Sequence, residues 1–171
     1  MPYTDLLRIT VFLTGAEATA LGAITALAAG RDADVRTVYV AAAWWLISLV
    51  LGVWLGRPSR AADGVRDALA RARTATSLPE ASPARVAAIR LWPIGLTALA
   101  AGVLGVIYPG VAAIGAGYAL LVALTMRTRE AAVLGVEHRD GVKFYVVPNA
   151  AWRPIELVRT PGLRSDRLGQ V

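Results

Sequence analysis

The nineteen residues from 38 to 56, "VYVAAAWWLISLVLGVWLG", carry no charge at all. A helix rises about 1.5 Å per residue and the hydrocarbon core of a bilayer is about 30 Å thick, so about 20 mostly apolar residues suffice to cross it. Three more stretches approach that length: 9–30, interrupted by Glu17 and small polar residues, then 91–108 and 110–126. The last two meet at Pro109-Gly110, a composition that favours a tight reversal. With 56% hydrophobic and only 18% charged residues in 171, the composition agrees,. The expected fold class is an all-α polytopic membrane protein, with four transmembrane helices in two helical hairpins and a short C-terminal β-hairpin or meander. Residues 1–126 form the transmembrane domain, with a basic loop at 57–90, and 127–171 form a tail.

Direction follows from the basic residues, which are retained in short cytoplasmic loops. Sixteen of the eighteen lie before the first span, between the second and third, or after the fourth. Only Arg31 and Arg36 lie on the other side, offset by Asp32 and Asp34. The expected localisation is therefore the plasma membrane, multi-pass, with both termini in the cytoplasm. This accounts for the net charge of +6 without nucleic acid, for which no binding motif is present,. The use of 17 Arg against one Lys fits a GC-rich bacterial coding sequence. A cleaved signal peptide fits the first span poorly, because the run is too long and is broken by Glu17.

Small residues let helix backbones approach in lipid, where tails are as apolar as leucine. Gly15, Ala18, Gly22, Ala26 and Ala29 fall on one stripe of the first span. Ala98 with Gly102, Ala112 with Ala116 and Ala113 with Gly117 offer similar spacings on the third and fourth. Trp44, Trp45, Trp54, Trp92 and Tyr108 lie mostly toward span ends, where amphipathic rings anchor at headgroup level. Pro93 suggests a bend after an interfacial segment starting at Ser82-Pro83.

In the 57–90 loop, Ala62, Val65, Leu69 and Ala72 recur at helical spacing. Arg57, Arg60, Arg66, Arg71, Arg73, Arg85 and Arg90 surround them, an arrangement suited to anionic lipid headgroups. An ordinary solvated loop helix fits the same pattern. In the tail, Asp140-Gly141 between β-rich runs reads as a hairpin turn joining strands near 132–139 and 142–147, with a third strand near 155–160. A unit of that size is too small to stand alone, so it must lean on the chain's own membrane-proximal surface, a second copy or another subunit.

Cysteine is absent, and there is one histidine, His138, beside the turn. No phosphate-binding glycine loop, serine elbow or histidine pair is present, so no catalytic residue, metal or cofactor is expected. Glu17 is the exception to an otherwise bland polar inventory. An ionisable group within a span costs on the order of 3 kcal/mol on insertion scales, so it faces a bundle interior, a wet cavity or a partner. By helical rise, Thr14, Ser48 and Thr97 should lie at a similar depth, forming with Glu17 an intramembrane polar cluster. No basic residue occupies the middle of a span to act as counter-ion. Three roles follow: a neutral acid bonding neighbouring helices, a docking point for a polar or cationic group of another membrane subunit, or a proton- or ion-handling site. The expected function is an accessory or scaffold subunit of a larger membrane assembly, the partner being another subunit or a second copy. The alternative is a small oligomeric transporter or channel using Glu17. A lipid-modifying enzyme comes third, since the arginines could hold a phosphate but no acid–base pair is visible.

Overall fold

The structure, a computed structural model, describes residues 1–32, 35–57, 65–66, 68–74 and 82–161. Among these residues it has four long helices: α1 (Tyr3–Asp32), α2 (Val35–Leu55), α3 (Pro83–Ile107) and α4 (Pro109–Asp140). All four are long and apolar enough to cross a membrane. The chain is thus an all-α polytopic membrane protein carrying a small sheet. Among the described residues three short strands complete it: β1 (Arg73–Thr74), β2 (Val142–Val146) and β3 (Leu157–Pro161), in the order β1-β3-β2.

Helix α4 is the hub against which α1, α2 and α3 all pack. Its apolar half buries Ala112, Ala113, Ala116, Gly117 and Ala119, so neighbouring backbones approach closely,. A Cβ on Gly117 would overlap the Trp44 indole nitrogen and stand 2.8 Å from Ser48 Oγ; one on Gly105 would stand 2.6 Å from Ala112 Cβ. The expected glycine–alanine stripe of α1 is only in part its packing face: Gly22 stands against Trp45. Gly15 has nothing near it and Ala26 is exposed, whereas Thr10, Thr14, Leu21 and Thr25 are buried. Thr10, Thr14 and Thr25 each donate their hydroxyl to the carbonyl four residues earlier, at 2.8 to 2.9 Å. With the proton satisfied inside the helix, the threonine turns a compact methyl to its neighbour.

Helix α3 begins where Ser82-Pro83 predicts, with Pro83 in the first turn, and continues through Pro93 as one element. The larger departure lies in α4. Its 32 residues span about 48 Å, well beyond a hydrocarbon core of about 30 Å,. The expected strand at 132–139 is the last two turns of this helix. Extending a helix already formed through the apolar run needs no new nucleus, and Met126, Val133 and Val136 recur at helical rather than alternate spacing. Gly141, at φ 63°, is the left-handed residue that stops the helix, and its N–H bonds to the Glu137 carbonyl,. A hairpin turn would use the same backbone freedom, which is why Asp140-Gly141 reads either way.

The hairpin that does form pairs β2 with β3, antiparallel, with Phe144 opposite Arg159. The third strand comes from the central connection rather than from the tail, because β1 pairs in parallel with β3, Arg73 opposite Val158. Val142, Phe144 and Val146 point from β2 into a core shared with Met1, Tyr3, Leu6, Leu7, Val65, Val86, Val133 and Leu157. Of the three supports foreseen for the tail, the structure supplies the chain's own N-terminus and helix ends. Residues 65–66 and 68–70 are helical, and Val65 is buried in this core with Leu69 and Ala72 against it. The apolar side of that segment faces the cap rather than a headgroup layer; Ala62 lies outside the described residues.

Candidate intramembrane site

Glu17 lies near the middle of α1 and opens into a cleft between α1, α3 and α4 with a volume of about 320 Å³. Thr14 and Thr97 line the same cleft, as their depth along the helices predicts, together with Tyr118 and Val122 of α4. A second concavity of about 340 Å³, between α1 and α3, is lined by Glu17 with Leu21, Ile24, Val103 and Val106. Glu17 is thus a lining residue of both.

Ser48 is not part of this cluster. It is fully buried between α2 and α4 beside Gly117, and its hydroxyl has no partner among the described residues. Depth alone placed it with Glu17; the side of α4 on which α2 packs keeps it away. Tyr118 was missed, although it is the one aromatic residue of the fourth apolar run. Its ring meets Trp44 edge-on, with centroids 5.4 Å apart at 63°.

The two threonine hydroxyls of the cleft are already committed as donors. Thr14 Oγ1 donates to the Thr10 carbonyl at 2.8 Å, and Thr97 Oγ1 donates to the Ile94 carbonyl at 2.9 Å. No hydrogen bond or ion pair reaches the Glu17 carboxyl among the described residues. The two threonines therefore offer Glu17 no proton, and Tyr118 carries the remaining hydroxyl of the cleft lining,. The helix-bonding role foreseen for the acid is not made among the described residues. Nor do three His, Asp or Glu side chains gather anywhere among the described residues, as a metal centre would require.

The aromatic and basic residues divide into two groups. Trp54, Trp92 and Tyr108 are exposed. Trp44 and Trp45 instead donate their indole N–H groups to the carbonyls of Ile114 and Ala113, at 3.2 and 2.9 Å, and so hold α2 to α4. Arg57, Arg66, Arg71, Arg73 and Arg85 are exposed, and Arg60 lies outside the described residues. Arg90 differs from these. Its guanidinium turns to the connection between β2 and β3, donating to the Arg153 carbonyl at 2.8 Å, to those of Pro154 and Ala151, and to the Asn149 side chain. A group that makes these bonds is a clamp on the cap and is not available as a free headgroup ligand. No family model, no curated protein and no solved structure matches this chain.

Proposed function

We propose that this integral membrane protein is a non-enzymatic accessory or scaffold subunit of a larger membrane assembly, seated with its cap and both termini in the cytoplasm. The Glu17 cleft is the place where a transmembrane helix of a neighbouring subunit docks, bringing a polar or cationic side chain to the carboxylate. The observation that carries this reading is an acid at mid-span, in an open cleft, that makes no hydrogen bond or ion pair among the described residues and whose two threonine neighbours have spent their protons elsewhere. Leaving such a group exposed to lipid is costly, and a partner donor offsets that cost. The chain has no cysteine, so Thr97→Cys introduces a single attachment point in the cleft for a short cross-linker in native membranes. The expected product is one defined adduct, lost when Glu17→Ala is added. Retention in Glu17→Gln marks hydrogen bonding, and loss marks a cationic partner. A chain that forms no adduct and purifies as a monomer sinks the proposal.

The place of Glu17 in the lining of two concavities favours a second reading, a small oligomeric transporter or channel. Reconstituted vesicles that carry a proton or ion flux abolished by Glu17→Gln would establish it, whereas a tight bilayer with or without the carboxylate removes it.

A further inference from the structure

The connection between β2 and β3, residues 147–156, has a construction unlike an ordinary surface loop. Its base is closed by Val147 N–H to the Glu156 carbonyl at 3.0 Å, and Asn149 Nδ2 spans it to the Pro154 carbonyl at 3.0 Å. A turn at its tip is closed by Arg153 N–H to the Ala150 carbonyl at 3.0 Å. Trp152 sits on that turn with its side chain 78% exposed, and Ile155 is 43% exposed beside it. A large ring is thus held outward by a fixed backbone.

The position of the ring is fixed as well. Arg90, which holds the carbonyls on both sides of Trp152, immediately precedes the apolar run that begins at Leu91. Consecutive Cα atoms are about 3.8 Å apart, so the Trp152 backbone cannot stray from the level at which α3 enters the hydrocarbon. Trp92, two residues further along α3, is itself 49% exposed. An indole with an apolar body and one N–H donor suits the layer between headgroups and acyl chains, and Arg153, exposed beside it, suits the phosphates,.

We infer that the 147–156 loop is a lipid-contacting element that seats Trp152 in the interfacial layer of the surrounding bilayer and so ties the cap to the membrane surface. Continuity with the lipid-facing start of α3 is what commits this surface to lipid. The clamp explains why an arginine at the edge of the apolar run is spent on backbone carbonyls: it positions the loop, and the loop makes the lipid contact.

The test uses the full chain in bilayer discs of phosphatidylcholine and phosphatidylglycerol, with a nitroxide on single cysteines. Trp152→Cys is compared with Lys143→Cys, an exposed position on β2. The expected result is a ratio of oxygen to nickel-chelate collisions several-fold higher at 152 than at 143. Ala151→Cys keeps the tryptophan and reports in case loss of the ring disturbs the fold. It should show the same excess and lose most of it when Arg90→Ala is added. Equal ratios at 151, 152 and 143 overturn the inference. So does a label at 152 shielded from both reagents, which would mean that protein covers the loop.

Discussion

The chain has two phenylalanines, and the structure treats them in opposite ways. Phe12, on the outer side of α1, is 81% exposed; Phe144, on β2, is 3% exposed. The bundle buries mainly alanine, glycine, threonine and serine and turns most of its leucine and valine outward. The cap buries valine, leucine, tyrosine and phenylalanine and turns lysine and arginine outward. The same apolar side chain gains nothing from leaving lipid but a great deal from leaving water. A single rule, that large apolar groups go inside, would therefore fold half of this molecule inside out.

The sharpest way to break that comparison is to truncate both rings. Phe144→Ala should destabilise the cap by about 3–5 kcal/mol, a loss of core area plus the cavity left behind. It should be read as protease sensitivity of residues beyond Asp140 in otherwise intact membranes. Phe12→Ala should leave the cap and the bundle within about 0.5 kcal/mol, since no protein contact is lost. Equal effects would mean that Phe12 faces protein in the assembled state.

Glycine provides the next contrast. Gly117→Ala inserts a methyl where the Trp44 indole stands and should cost about 1–3 kcal/mol, lowering the thermal midpoint in detergent. Gly15→Ala meets nothing within 4 Å and should be neutral or stabilising by up to about 1 kcal/mol through helix propensity. A reversal of that order would show that α2 does not pack on α4 as described.

A smaller effect is expected at Glu137, past the apolar run on α4, whose Oε1 accepts the Phe144 N–H at 3.1 Å. Burial raises this carboxyl above the usual range; the Phe144 N–H and Lys143 pull it down, and Asp5 adds to the rise. The contribution of the protonated form is fully present below the unfolded pKa, about 4.3, and is lost as pH rises through the folded value. Glu137→Gln keeps an acceptor for Phe144 and should flatten the fall in cap stability on going from acid toward neutral pH. An unchanged slope in a pH series of denaturation midpoints would assign that fall to other groups. The smallest change belongs to Arg8, 70% exposed and 3.2 Å from Glu130. Arg8→Ala should cost well under about 1 kcal/mol in the same midpoints, and less at high salt.

The four spans were legible because a bilayer imposes a length and a composition that few other structures share. The packing face of α1 was not, because small size marks glycine and alanine as candidates while the threonines that fill the interface look polar until their hydroxyls fold back onto the helix. The last turns of α4 were misread because valine content suggests a strand, whereas the spacing of Met126, Val133 and Val136 and an existing helix upstream decide for a helix. β1 was invisible, since a two-residue strand has no pattern of its own and exists only because β3 presents an edge. In the candidate site, Thr14 and Thr97 followed from depth along a helix axis. Ser48 failed and Tyr118 was missed because depth says nothing about azimuth, which only the packing around α4 supplies.

Helix α4 has no break between the Glu17 cleft and the sheet. From Val122 to Asp140 the rod extends about 27 Å, and a tilt of about 10° at the cleft would swing its far end by about 5 Å. Anything that wedges the cleft open or draws it shut would thus be felt at the base of the sheet as a lever stroke, transmitted by stiffness alone.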